Sequence, residues 1–213
     1  MIYNNNISHI RKGKIKMEKE AAIKSKKQKK VNLKSSVNDI VMISLFSALI
    51  AVSSQICIPT PPKFPPVTMQ TFAIFLAGSM LGWKKGTLSV LVYIILGIIG
   101  IPVFAQLQSG IGVLFGMTGG YIIGFLLTAF ITGLICEKLG KKLWVLIVSM
   151  ISGLLLCYAF GTVWFMVVYG QQVGQISFWS ALCICIFPFL IFDAGKIAIA
   201  SVAVNRLDKV VKL

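Results

Sequence analysis

The sequence predicts an all-α integral membrane protein of six transmembrane helices with both termini cytoplasmic. Three observations predict it. Of the 213 residues, 57% are hydrophobic and only 13% charged, about half the charged share of a soluble domain. From Ile40 to Val204, apolar runs alternate with short polar or basic breaks, the pattern of a chain that crosses a bilayer repeatedly. The cationic residues also fall on alternate breaks. With the N-terminal tail inside, its eleven Lys/Arg are followed on that side by Lys84, Lys85, Lys138, Lys141, Lys142, Arg206, Lys209 and Lys212, which makes 19 of 21. Lys63 falls outside and Lys196 within the membrane, so the positive-inside rule fixes the orientation.

Each element follows in order. Residues 1–37 form a basic, flexible cytoplasmic tail; through Asp39 its eleven cations outweigh Glu18, Glu20 and Asp39, a net +8. Beside membrane spans such a tail is drawn to anionic lipid rather than to nucleic acid. The membrane domain is 38–205, and 206–213 is a short basic C-terminus. The first span, residues 40–58, is uncharged and too long for a signal-peptide core. It carries the small-residue stripes Ser44/Ala48 and Ser47/Ala51, along which another helix can approach closely. Five prolines between Pro59 and Pro66 then impose a stiff extended loop. Residues 67–83 are the second span, and Trp83-Lys84-Lys85-Gly86 reads as a tight interfacial turn. Residues 87–100 are the third span, and 101–112 an irregular connection containing Gln106 and Gln108. The fourth span, 113–136, opens on the Gly-rich run Gly116-Met117-Thr118-Gly119-Gly120-Tyr121. The fifth is 143–169, followed by a polar loop with Gln171 and Gln172, and the sixth is 176–204.

Function centres on the sixth span, where Asp193 and Lys196 are the only ionisable pair within one apolar segment. A charge at membrane depth costs about 2.5–3.5 kcal/mol on insertion scales, so it marks a functional site by default. At positions i and i+3 the two share a helix face. Together they offer acceptor oxygens and three N–H donors to a neutral polar ligand head. Asp193 lies thirteen residues before Arg206, about 20 Å from the inner surface, and Lys196 about 15 Å. Pro188 is expected to kink the helix just before the pair and make room beside it. Thr60, Gln106, Gln108, Gln171 and Gln172 could cap a cavity opening outward. The alternative is a structural ion pair locking this helix to its neighbours.

Several chemistries are excluded. The only histidine, His9, lies in the tail, so a membrane serine has no base, and a lone Asp193 cannot form an aspartyl dyad. There is no P-loop, and Gly116–Gly124 follows no strand, which removes a dinucleotide fold. The five cysteines form no CxxC and read as packing residues, with no metal site. Binding or transport of a small solute remains; no catalytic residue and no cofactor is expected.

The motifs resemble those of the BioY family, the biotin-binding S components of energy-coupling factor transporters. The resemblance rests on Ile58-Pro59 to Pro66-Val67-Thr68-Met69-Gln70-Thr71-Phe72, Leu76-Ala77-Gly78, Gly100-Ile101-Pro102-Val103-Phe104-Ala105, the Gly116–Tyr121 run and Asp193-x-x-Lys196, and covers about residues 38–205. It implies a six-helix S-component fold in the cell membrane and capture of biotin from outside. It also implies work with a transmembrane coupling subunit and two ABC-type ATPases. It gives Asp193 and Lys196 the roles of accepting from the ureido N–H groups and donating to the ureido carbonyl. Tyr121, Gln106 and Gln108 are further candidates, with Phe104 or Trp164 packing the fused rings. Ser44 and Ala48 correspond to the coupling-subunit interface, Ser44 replacing an alanine. Met117 stands where many members have proline, and Phe192 where a small residue precedes the Asp, which is expected to reshape the pocket floor. The alternatives are an S component for another vitamin, a solitary carrier, or a membrane interaction protein.

Overall fold

The computed structural model describes residues 36–58 and 65–210; the basic tail, Thr60, Lys63 and Lys212 lie outside the described residues. Helix α1 is Ser36–Gln55. A two-residue antiparallel pair follows, β1 (Cys57–Ile58) with β2 (Val67–Thr68), in the register Cys57↔Thr68 and Ile58↔Val67. Then come α2 (Gln70–Ile98), α3 (Ile111–Phe115), α4 (Gly119–Leu139), α5 (Leu143–Gln172), α6 (Phe178–Cys185) and α7 (Phe187–Val210). From Met42 onward these elements form one compact unit.

Among the described residues, five helices are long and apolar enough to cross a membrane when α6 and α7 are taken together. The second of them, α2, is folded back on itself as two legs. Gly82 has φ 78° and ψ 179°, left-handed backbone that a Cβ disfavours, and it reverses the chain in a single residue. Gln70 Nε2 consequently donates to the Tyr93 hydroxyl at 2.5 Å, whereas 23 residues of straight helix would separate them by about 35 Å. The expected turn Trp83–Gly86 is therefore corrected: it is the first turn of the second leg. Glu137 Oε1 accepts the otherwise unpaired N–H of Trp83 at 3.2 Å.

Other boundaries also move. The expected fourth span from residue 113 is broken at Gly116–Thr118, between α3 and α4. The expected start of the second span at Val67 is strand, and helix begins only at Gln70. The last span breaks at Ile186, two residues before Pro188. Proline lacks the N–H that would donate to the carbonyl four residues back, and it disfavours helical backbone before it. Helix α5 runs on to Gln172, and α7 to Val210, so Asp208 and Lys209 lie in its last turn and Arg206 just before it.

The helices are apolar on both faces. Leu91, Ile95, Val148, Leu155 and Val163 are exposed, while Ile74, Phe75, Val90, Leu146 and Met150 are fully buried. Lipid outside and core inside are equally apolar, so no amphipathic stripe is required. Close helix packing is carried instead by hydroxyls that bond backbone: Thr128 Oγ1 donates to the Gly124 and Gly153 carbonyls, both at 3.1 Å, joining α4 to α5. On α1, Ser47 is buried and Ser44 and Ala48 are exposed, so the two small-residue stripes, about 60° apart around the helix, lie on the inner and outer sides of one edge.

Candidate binding site

A cavity of about 480 Å³ lies at the end of the bundle opposite Gly82, within the usual range for small-molecule sites, roughly 300–1,000 Å³. Its walls come from Pro65 and Pro66, β2, the first turn of α2, the segment 104–118, the start of α4, the middle of α5 and the first half of α7. Phe104, Ile122 and Phe125 give it an apolar side. The break at Ile186 lets α7 restart at an angle that carries Phe189, Asp193 and Lys196 onto the wall.

The polar side is one connected network. Asp193 and Lys196 are 2% and 6% exposed and their ion pair measures 2.7 Å. Thr71 Oγ1 donates to Asp193 Oδ1 at 2.9 Å and accepts from Lys196 Nζ at 3.1 Å. Lys196 Nζ also donates to the Thr68 carbonyl at 2.6 Å, and the Tyr158 hydroxyl donates to Asp193 Oδ2. The short β pair fixes that carbonyl, with Met69 N–H donating to the Ile56 carbonyl at 3.0 Å behind it. Next to Thr71, Gln70 is held between the Thr68 hydroxyl and Tyr93.

Donor and acceptor capacity decides what this network can still do. A carboxylate offers about four lone-pair directions and an ammonium three N–H groups. Lys196 directs its three donors to Thr68, Thr71 and Asp193. Asp193 Oδ1 accepts from Lys196 and Thr71, and Oδ2 from Tyr158. One acceptor direction on Oδ2 is left for a ligand N–H. Lys196 can reach a ligand oxygen by exchanging its longest bond, the one to Thr71.

The structure places all five predicted ligand residues, Asp193, Lys196, Tyr121, Gln106 and Gln108, on this cavity. The Tyr121 hydroxyl lies 3.2 Å from Thr162 Oγ1. Phe104 is also on the wall, and Met117 joins it. Other expectations are corrected. Trp164 is not among the lining residues; its Nε1 donates to the Gly116 carbonyl at 3.0 Å and supports the α3–α4 break. Gln171 and Gln172 end α5 away from the cavity, because the helix continues through them. Phe192 is 46% exposed and faces outward, so it does not shape the floor. Sequence reasoning missed Tyr158 and the Thr68 carbonyl, and it named Thr71 only within the motif shared with the BioY family. A hydroxyl at the first turn of a span was the one available signal.

The sequence model described as the BioY family matches residues 24–213. The chain belongs to the BioY family. It is 39% identical over 173 residues to a Thermotoga maritima protein named biotin transporter BioY, over 81% of this chain and 97% of that one. A probable biotin transporter BioY from Pyrococcus horikoshii is 39% identical over 170 residues, over 80% and 96% of the two chains. A crystal structure of the S-component for biotin from an ECF-type ABC transporter matches with a TM-score of 0.74 and 27% identity, over 83% of this chain and 93% of that chain. The all-α membrane architecture is thus that of an S component, as the BioY motifs implied.

Proposed function

We propose that this chain is the biotin-binding S component of an energy-coupling factor transporter in the cell membrane. The observation that carries this reading is the buried Asp193 carboxylate, held at the cavity wall by Lys196, Thr71 and Tyr158 with one acceptor direction open. A ureido ring presents N–H groups to Asp193 Oδ2, and its carbonyl takes a proton donor from Lys196 as the bond to Thr71 is exchanged. The fused rings pack on Phe104, Ile122 and Phe125, while Tyr121, Gln106 and Gln108 supply polar contacts to the remainder.

Lys84, Lys85, Lys138, Lys141 and Lys142 lie at the Gly82 end of the bundle, opposite the cavity. The positive-inside rule makes that end, and both termini, cytoplasmic, so the cavity takes its ligand from outside. The chain captures and does no chemistry. A transmembrane coupling subunit docks on the exposed, small Ser44 and Ala48 of α1, and two ABC-type ATPases supply the energy.

Calorimetric titration of the purified protein with biotin, with riboflavin and thiamin as controls, tests the reading. Tight one-to-one heat with biotin alone is expected. No heat from a well-folded sample would sink the assignment and favour another vitamin.

A further inference from the structure

The wall segment after Phe104 contains two consecutive non-glycine residues in left-handed backbone, Gln106 (φ 58°) and Leu107 (φ 57°). Such a conformation is unfavourable for side chains with a Cβ and persists only where surrounding structure imposes it. The Leu107 side chain does not impose it, being 67% exposed. Two backbone bonds close the turn, Phe104 N–H to the Gln108 carbonyl at 3.1 Å and Gln108 N–H to the Ala105 carbonyl at 3.3 Å, and side chains at the end of α1 brace it from outside. Gln55 Nε2 donates to the Phe104 carbonyl at 3.0 Å, and Gln55 Oε1 accepts from the Leu107 N–H at 3.1 Å. One amide therefore spans the turn, reading a carbonyl on one side and an N–H on the other. Ser54 Oγ, which accepts from Gln55 Nε2 at 2.7 Å, itself donates to the Val103 carbonyl at 2.5 Å. Beneath the turn, Phe104 is 1% exposed and meets Tyr93 edge-on at 5.7 Å. Its ring occupies the space over Gly97, where a Cβ would sit 2.1 Å away.

Gln55 is not part of the cavity wall, yet four wall residues, Phe104, Ala105, Gln106 and Gln108, belong to the turn it spans. We propose that Gln55 is a positioning residue for the ligand: it holds the 104–108 turn in its left-handed form and so sets how slowly bound ligand leaves. The ligand part of this rests on biotin being the substrate; the part about the turn does not.

The experiment uses the full chain in lipid nanodiscs. It compares wild type, Gln55→Ala, Gln55→Glu and the control Gln171→Ala, a glutamine at the end of α5. Two quantities are read: backbone amide exchange without ligand, and the release rate of labelled biotin. Gln55→Ala should speed exchange at the Leu107 and Gln108 amides and release biotin about ten-fold faster, the effect of losing roughly one well-made hydrogen bond. Gln55→Glu keeps the acceptor for Leu107 but not the donor for Phe104, and should fall between. Adding Leu107→Gly to Gln55→Ala should slow release again, because glycine takes φ near +57° without strain.

Unchanged exchange at 104–108, or faster exchange with unchanged release, overturns the proposal. So does a double variant that releases faster than Gln55→Ala alone. If wild type retains no biotin, the substrate reading fails, and the exchange data alone decide whether Gln55 holds the turn.

Discussion

Two Lys–Asp pairs, one at each end of the bundle, have nearly the same geometry and opposite surroundings. Lys141 and Asp208 meet at 2.9 Å with side chains 24% and 43% exposed; Lys196 and Asp193 meet at 2.7 Å with 7% and 2%. The first ties the α4–α5 connection to the end of α7, helped by Asn205 Nδ2 donating to the Lys141 carbonyl at 3.1 Å. Water competes for it, so it is worth about 0–1 kcal/mol. The second is almost wholly withdrawn from solvent, and each charge depends on the other and on Thr68, Thr71 and Tyr158. Distance alone thus says little about what an ion pair does; the solvent around it decides whether it is a tether or a site.

The largest expected effect comes from breaking the buried pair. Asp193→Asn leaves Lys196 charged and unpaired, at a cost of about 3–5 kcal/mol, and biotin binding should disappear from the titration. Replacing both, Asp193→Leu with Lys196→Met, should recover most of the thermal midpoint without recovering binding. A double variant as unstable as Asp193→Asn would show that the burden lies elsewhere than in the orphaned charge. Next in size is Thr71→Val, which keeps shape but removes the hydroxyl that both donates to Asp193 and accepts from Lys196. It should weaken biotin about ten-fold, roughly 1–2 kcal/mol, with both charges still paired. Smallest is Asp208→Asn at the far end. It should change the thermal midpoint by no more than about 1 kcal/mol equivalent, less at high salt, and leave the biotin affinity where it was.

The same contrast explains what was legible in the sequence. Asp193 and Lys196 stood out because nothing else ionisable shares their segment, and hydrocarbon makes that conspicuous. Gln106 and Gln108 were visible as amides in an otherwise apolar connection, and Tyr121 through its Gly-rich setting. Tyr158 and Thr71 were not, because a hydroxyl in a span is compatible with simple back-bonding to its own helix, as Ser79 does to the Phe75 carbonyl at 2.6 Å. The Thr68 carbonyl belongs to every residue type and carries no sequence signal. Six apolar segments could be counted from hydropathy, the two legs of α2 among them, but the reversal was placed at Trp83–Gly86 instead of Gly82. Trp83-Lys84-Lys85 has the composition of an interfacial loop, and only the fold shows that one glycine and the Glu137 carboxylate suffice. The α3–α4 break escaped because the Gly-rich run was read as part of one span, whereas the kink expected at Pro188 is present as the break at Ile186.

That reversal at Gly82 also bears on how the protein reaches the bilayer. The legs of α2 are residues 70–81 and 83–98, twelve and sixteen residues, about 18 and 24 Å of helix. Neither matches a hydrocarbon layer of about 30 Å, which takes some 20 residues to cross. No linker separates them that could wait in water while the first leg settles. Joined through one residue, the two legs are coupled, and the hairpin rather than either leg is the unit that suits the lipid. A few polar residues inserted at Gly82 would release the legs from that coupling.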